Sequence, residues 1–302
     1  MAGKRIDFQA NSTNVRINIL RRITVYSVFS LLWTINNEWV KKIISTTFFA
    51  PRKYRTSDSE QVTLGQAQYH RINVNDQYIS CWRWGTGPAL LFIHGWNGSG
   101  IQFAPFIRDS LEKGYSVITF DGPGHGASEG RSSSYFEMTD AVRGVIHHFG
   151  TEEIVALIGH SFGASAIVNA LHKEKYRIPA VLLAPALEIK EMLEGVFKLH
   201  GIPLYIYQQM IENYEERFGY DLQKDNPKNL IPMLDSEVLI VHDRQDKVTP
   251  FSESDQIATG SESIKLIPTD GLGHKKILFD REVIARIFQF LESILKREDD
   301  NN

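Results

Sequence analysis

The chain has 302 residues, 42% of them hydrophobic, and a formal net charge of −3. This length can bury the core of one large domain, or of a domain with a small insertion, and the charge balance argues against nucleic acid as a partner. The single cysteine, Cys81, excludes an intramolecular disulfide and fits a reducing compartment, so we expect a buried, inert thiol in a cytoplasmic protein.

Residues 23–37 form an uncharged, mostly apolar run that is flanked by pairs of basic residues. The run is shorter than the roughly 20 residues of a membrane span, and no signal-peptide cleavage site follows it. We therefore predict a helical extension and linker over residues 1–60, with its apolar side chains packed on the main domain. The alternative is a signal anchor, or membrane association through a surface helix formed by residues 14–49.

Two β-rich runs within residues 67–85 flank the turn-forming sequence NVNDQ, which predicts a β-hairpin. Six apolar runs follow, and they are continuous rather than alternating, as expected for strands buried on both faces of a sheet. Because helix-like stretches separate most of them, we predict the α/β class, with a mostly parallel central sheet and helices on both faces. The strand-like runs are residues 89–95, 115–121, 154–160, 180–186, 237–243 and 263–269, and the helix-like stretches are residues 135–149, 163–175, 251–258 and 281–296.

One connection between strands is longer than a crossover needs. Residues 187–235 contain two helix-like segments rich in apolar residues, among them Met192 and Phe197. We predict a small helical lid, inserted after the sixth strand, that divides the core into residues 61–186 and 236–298. Met192 and Phe197 would then contact an apolar acyl group of the substrate. The alternative is that the apolar side chains only pack the lid down.

Polar and glycine-rich sequences follow several of the predicted strands. Gly159, Ser161 and Gly163 give the spacing G-x-S-x-G after one apolar run, and the segments HGWNG, DGPGHGAS, HDRQD and GLGH follow others. In an open parallel sheet, ligands bind beyond the carboxyl ends of the strands. These segments are therefore predicted to converge on one crevice.

Taken together, these motifs resemble the α/β-hydrolase superfamily over residues 65–296, and the run GHKKIL resembles bacterial members of it. The resemblance implies that Ser161 is the nucleophile of a strained strand-to-helix elbow. A serine hydroxyl needs a base to remove its proton, and the superfamily orders its triad as serine, acid, histidine. His274 alone follows the last predicted strand, on a glycine-flanked loop, and matches the base.

The resemblance also implies the acid and the oxyanion hole. Asp246 matches the acid of the superfamily pattern H-G-x-x-D-x-x-V-P, whereas Asp243 stands where glycine is usual. The alternative acids are Asp243 itself and Glu188. The backbone N–H groups of Trp96 and Phe162 would hold the oxyanion, and the Trp96 ring would flank the pocket.

These residues imply a serine hydrolase, carboxylesterase-like or lipase-like, that needs no metal or cofactor. It would cleave a small-molecule carboxylic ester, or thioester, with an apolar acyl group through an acyl-enzyme intermediate. The same triad serves an acyltransferase, a C–C hydrolase or a perhydrolase, so these remain alternatives. An alternative of another class is a non-catalytic ligand-binding protein on the same fold.

Overall fold

The computed structural model describes residues 8–261 and 263–301, with side chains from residue 20 to residue 296 apart from residue 262. Eight strands form one sheet. They are β1 (Gln68–Val74), β2 (Gln77–Trp84), β3 (Ala89–Ile93), β4 (Ser116–Phe120), β5 (Ile154–His160), β6 (Ala180–Leu183), β7 (Val238–Asp243) and β8 (Ile264–Thr269). The helices are α1 (Phe8–Ile35), α2 (Asn37–Phe48), α3 (Asp58–Leu64), α4 (Ala104–Glu112), α5 (Tyr135–Phe149), α6 (Phe162–Glu174), α7 (Ile189–His200), α8 (Leu204–Phe218), α9 (Pro227–Leu230), α10 (Phe251–Thr259), α11 (Gly273–Lys276) and α12 (Arg281–Asn301).

The sheet confirms the predicted α/β class. Its strand order is β1-β2-β4-β3-β5-β6-β7-β8. The pairs β1–β2 and β2–β4 are antiparallel, and every pair from β4 to β8 is parallel. The β1–β2 hairpin turns at Asn75 and Asp76, which both have positive φ, as a two-residue hairpin turn requires.

The continuous apolar runs are buried because helices cover the sheet. Every residue of β3, β4, β6 and β7 is buried. Leu90 and Phe92 of β3 share one buried cluster with Phe106 of α4 and with Ile287 and Leu291 of α12. Helix α5 contacts helix α6 and strand β1, and α6 contacts strands β3 and β5. Two-sided burial thus explains the absence of alternation in the sequence.

The predicted linker contains a helix that the sequence analysis did not identify. Ser57 caps α3, and Glu60 accepts a hydrogen bond from the Ser57 backbone N–H at 2.7 Å, which completes a capping box. Cys81, on β2, is buried and unpaired as expected, and burial raises the pKa of its thiol.

The chain divides into two compact units. The larger unit is Phe48–Glu188 together with the chain from Gln223 onward, and it contains the sheet and helices α3–α6 and α9–α12. The smaller unit contains the chain up to Thr47 together with Ile189–Leu222. It therefore joins α1 and α2 to the helical pair α7–α8, whereas the prediction placed the amino-terminal helices and the lid in separate domains.

The smaller unit is held together by contacts between α1 and the α7–α8 pair. The Arg22 guanidinium donates a hydrogen bond to the Lys198 carbonyl at 2.6 Å, and the Trp33 and Tyr205 rings meet edge to face at 6.1 Å. Among the described residues, no helix combines the length and the apolar character needed to cross a bilayer.

Candidate active site

Ser161 lies at a sharp corner between β5 and α6. Its backbone has φ 53° and ψ −117°, a conformation that costs a non-glycine residue about 1–3 kcal/mol. The flanking glycines are required by close backbone contacts. A Cβ atom on Gly163 would overlap the carbonyl oxygens of Ile93 and His94, and one on Gly159 would lie 2.7 Å from the Cα atom of Ala164. The G-x-S-x-G spacing is thus a steric requirement of this turn.

Three side chains that are distant in sequence meet at this corner. Ser161 Oγ lies 2.9 Å from His274 Nε2, and His274 Nδ1 lies 2.7 Å from Asp246 Oδ2. His274 follows β8 at the start of α11, and Asp246 follows β7. The Asp246 carboxylate is fully shielded from solvent, whereas 11% of the His274 side chain is exposed. A serine hydroxyl, an imidazole and a carboxylate therefore form one continuous hydrogen-bonded chain.

The Asp246 carboxylate has several further donors. Oδ1 accepts hydrogen bonds from the backbone N–H groups of Val248 and Thr249 at 2.7 and 3.2 Å, and Oδ2 accepts one from the Thr249 hydroxyl at 3.0 Å. His242 Nε2 lies 3.3 Å from Oδ2. Burial alone would raise the pKa of Asp246, but the hydrogen bonds from His242 and His274 outweigh it and hold the pKa far below its usual range. The carboxylate is therefore ionised at neutral pH.

His242 and Thr249 are site residues that the sequence analysis missed. His242 is completely buried, with Nδ1 2.7 Å from the Ser254 hydroxyl and Nε2 facing the Thr249 carbonyl at 3.2 Å. Thr249 is the residue by which this chain departs from the superfamily ending V-P, and its hydroxyl also lies 3.3 Å from His274 Nδ1. The departure was visible in the sequence, but its role as a donor was not.

Asp243, the alternative acid, is buried and has different partners. Its Oδ1 accepts from the backbone N–H of Gln245, and its Oδ2 accepts from the Thr269 hydroxyl and the Leu272 N–H, each at 2.9 Å. Burial would raise the pKa of Asp243, but these hydrogen bonds outweigh it and lower the pKa. Asp243 therefore joins the end of β7 to the loop that carries His274. Glu188 instead pairs with Lys228 at 2.6 Å.

His160, the neighbour of the serine, also supports this loop. Its Nε2 lies 2.8 Å from the His274 carbonyl oxygen, and the two imidazole rings are 4.8 Å apart. Burial, together with the nearby His274, lowers the pKa of His160 to about 3, so its ring is neutral at physiological pH. The neutral His160 ring donates this hydrogen bond and so holds the backbone of His274 in place.

Two backbone N–H groups are free beside Ser161. In the described part of the chain, the amides of Trp96 and Phe162 have no hydrogen-bond acceptor. Phe162 is the first residue of α6, where the unpaired amides carry the positive end of the helix dipole. The Trp96 ring is half-buried and contacts the Phe162 ring edge to face at 5.5 Å. This arrangement offers donors for a negatively charged oxygen.

The turn after β4 holds the Trp96 loop in place. Asp121 Oδ1 accepts from the Ser99 hydroxyl at 2.6 Å and from the Gly100 N–H at 2.8 Å. His94 Nε2 accepts from the Gly122 N–H at 2.8 Å, and burial lowers the pKa of His94 to about 4. These residues are buried and hold the two turns together.

The two predicted acyl-contacting residues belong to α7 of the smaller unit. Met192 is half-buried. Phe197 is 1% exposed, and its ring contacts Tyr207 of α8 at 5.1 Å. Packing between α7 and α8 therefore accounts for the burial of Phe197, and contact with a substrate stays a prediction for both residues. No group of metal-ligating side chains occurs among the residues that the structure describes.

Comparisons with known proteins agree with this architecture. A family model for the alpha/beta hydrolase fold matches residues 88–201, which include the Trp96 loop and the serine elbow. The chain has the α/β-hydrolase fold.

Individual relatives are distant in sequence. A putative esterase/lipase of Mycoplasma pneumoniae is 25% identical over 261 residues, which cover 70% of this chain and 91% of the relative. An esterase structure from Pyrococcus furiosus superposes with a TM-score of 0.62 at 20% identity, over 81% of this chain and 97% of that one. Est1E of Butyrivibrio proteoclasticus, solved with ferulic acid bound, gives a TM-score of 0.58 at 17% identity, over 75% and 98% of the two chains. The chain therefore shares its fold with these two solved structures.

Proposed function

We propose that this protein cleaves a carboxylic ester through an acyl-enzyme intermediate, with Ser161, His274 and Asp246 as its catalytic triad. The observation that carries the proposal is the chain of contacts from Ser161 Oγ to His274 Nε2 at 2.9 Å and from His274 Nδ1 to Asp246 Oδ2 at 2.7 Å. Both distances are within hydrogen-bond reach, as proton transfer from a nucleophile to its base requires.

The proposed reaction has two halves. In the first, Ser161 Oγ attacks the ester carbonyl while His274 Nε2 takes the hydroxyl proton, which it then gives to the leaving alcohol. Asp246 keeps His274 in the tautomer with a proton on Nδ1 and stabilises the imidazolium. In the second, His274 removes a proton from water as the water oxygen attacks the acyl carbon. The bond to Ser161 Oγ then breaks, His274 returns the proton to Oγ, and the acid is released.

Both tetrahedral intermediates carry a negative oxygen. The free N–H groups of Trp96 and Phe162 are proposed to bind it, and such a donor contributes on the order of 3 kcal/mol of transition-state stabilisation. These are backbone groups, so the two side chains are replaceable in the chemical step. We assign the Trp96 ring a place at the wall of the acyl pocket.

An ester is proposed rather than a thioester on the name of the Mycoplasma pneumoniae relative, putative esterase/lipase. The substrate class proposed is a small-molecule ester with an apolar acyl group. Acyl transfer, C–C hydrolysis and perhydrolysis would use the same triad and differ only in the acceptor or in the bond that is broken.

The test is a panel of p-nitrophenyl esters from acetate to laurate, together with thioesters of the same acyl groups. The wild type should hydrolyse the oxygen esters, and Ser161→Ala should lower kcat by roughly five orders of magnitude without loss of folded structure. Ser59→Ala, on the exposed helix α3, is the matched control and should keep wild-type activity. A fluorophosphonate should label the wild type and Ser59→Ala but not Ser161→Ala. Wild-type protein that turns over no ester, or Ser161→Ala that is labelled, would refute the assignment.

The predicted acyl contact of Met192 is tested with the same panel. Met192 is half-buried, so Met192→Trp can be accommodated more easily than a change at the fully buried Phe197. If Met192 contacts the acyl group, the larger side chain should shift the chain-length preference while activity on the acetate ester changes little. An unchanged profile would place the acyl pocket elsewhere.

A further inference from the structure

Helix α1 exposes large apolar side chains along one face. Four of them, Leu20, Ile23, Leu31 and Ile35, are between 57% and 71% exposed. At 100° per residue they lie within one third of the helix circumference, on the side opposite the half-buried Phe29. We name Leu20, Ile23, Leu31 and Ile35 the α1 face. Exposed apolar side chains that share one helix face mark a site that another surface covers.

Two hydroxyl groups near the α1 face are bonded to their own helix. Thr24 Oγ1 donates to the Leu20 carbonyl at 2.9 Å, and Thr34 Oγ1 donates to the Leu31 carbonyl at 2.8 Å. These donors are satisfied by their own helix, so burying them leaves no unpaired hydroxyl proton.

The α7–α8 pair of the same unit adds to this apolar surface. Ile23 and Tyr26 line a groove of about 420 Å³ together with Ile202 and Leu204. Leu199, beside the groove at the end of α7, is 69% exposed. The apolar surface thus extends from one helix onto the neighbouring helical turn.

The charges on α1 are positive. Between Phe8 and Ile35, α1 contains three arginines and no acidic residue. Arg21 is exposed beside the α1 face, and Lys198 lines the groove with 54% of its side chain exposed, beside Glu194 at 3.3 Å. A second copy of the chain would bring the same arginines without an acidic partner on α1. An anionic lipid surface complements them.

We propose that the α1 face docks this protein onto membranes that contain anionic lipid, with α1 lying in the plane of the interface. The α1 face runs along the helix from Leu20 to Ile35, so its insertion would place the helix axis in the plane of the interface. The exposed rings of Tyr26 and Trp39 have the amphipathic character that favours the headgroup region. Docking does not depend on the hydrolase reaction, because the surface contains none of the proposed catalytic residues.

The test is co-sedimentation of the full-length chain with vesicles of phosphatidylcholine alone or mixed with phosphatidylglycerol. The wild type should bind the mixed vesicles, bind pure phosphatidylcholine more weakly, and lose binding as salt is raised. Arg21→Gln should weaken binding to the mixed vesicles about fivefold, the effect of one basic residue near an anionic surface. The double variant Ile23→Glu with Leu31→Glu should weaken binding at least tenfold more than Arg21→Gln does.

The matched control is Val62→Glu with Met233→Glu, which alters side chains 65% and 63% exposed on the larger unit. It should bind as the wild type does. Both double variants should hydrolyse soluble esters as the wild type does, which shows that the chain is folded and separates this test from that of the triad. Wild-type protein that binds neither vesicle overturns the proposal, as does equal binding by the α1-face variant. A wild-type dimer that the α1-face variant dissociates, with no vesicle binding, would make a second copy the occupant and overturn it too.

Discussion

Asp243→Asn is the substitution that best separates support of the catalytic loop from participation in the triad. The Asp243 carboxylate is buried, and its Oδ2 accepts from the Leu272 N–H and the Thr269 hydroxyl at 2.9 Å. Asparagine keeps one acceptor oxygen and puts an NH₂ group in place of the other. The NH₂ group then faces either the Gln245 N–H or the Leu272 N–H, so one backbone donor loses its acceptor. In either orientation the loop before His274 loses its hydrogen bond to a charged group.

The expected loss follows from the hydrogen bonds. A hydrogen bond to a charged group contributes about 1.5–3 kcal/mol, and an unsatisfied buried donor adds to the loss, so we expect Asp243→Asn to destabilise the fold by about 3 kcal/mol. For a chain of this size the unfolding entropy is roughly 0.6 kcal/mol/K, so the melting temperature should fall by roughly 5 °C. We expect His274 to shift with its loop. A displacement of a catalytic group by about 1 Å lowers the rate by up to about 100-fold, so kcat should fall by about 10–100-fold while KM changes little.

The pH dependence gives a second measurement. The pKa of Asp243 is lower in the folded chain than in the unfolded chain. Its stabilisation is therefore fully present above the unfolded carboxyl pKa of about 4, and is lost as the pH falls through the folded value. The difference in melting temperature between wild type and Asp243→Asn should be constant near neutral pH and shrink in acid.

Asp270→Asn is the control, because Asp270 lies on the same loop with 63% of its side chain exposed and pairs only with the exposed Arg244 at 2.9 Å. It should change stability by less than about 1 kcal/mol and leave kcat unchanged. Asp246→Asn should lower kcat by several orders of magnitude with a folded chain. If Asp243→Asn abolishes activity while Asp246→Asn remains near wild type, the acid has been assigned to the wrong residue.

Three further substitutions test the serine elbow and the buried His94. Ser161→Gly should raise the melting temperature by a few degrees, because glycine relieves about 1–3 kcal/mol of strain at φ 53°, whereas Ser161→Ala should not. Gly163→Ala should prevent folding or strongly lower the melting temperature, because its Cβ would overlap the Ile93 carbonyl; Gly195→Ala, which meets open space in α7, should be neutral or stabilising in the same thermal melts. His94, with a pKa lowered to about 4 by burial, stabilises the fold fully above its unfolded value near 6.5. That stabilisation should be lost as the pH falls toward 4, at a cost of about 3 kcal/mol, and denaturant titrations of wild type and His94→Gln at both pH values would detect it.

The sequence by itself determined the sheet and the position of the elbow. Continuous apolar runs predicted six strands correctly because burial on both faces removes the alternation, a local property of each segment. Gly159 and Gly163 predicted the turn because only glycine fits where two backbones touch. Even the missed helix α3 had a local signal, since Ser57 and Glu60 have the spacing of a capping box.

Only the tertiary structure decided which of the site's polar groups form hydrogen bonds with each other. Asp243 and Asp246 are three residues apart, yet one faces the His274 side chain and the other the backbone before it. Likewise, the neutral ring of His160 reaches the His274 carbonyl, and Thr249 donates to Asp246. A side chain's partner depends on the direction in which its backbone points after the strand ends, and on distant segments that the fold brings to the same edge of the sheet. Neither is encoded in the spacing of neighbouring residues.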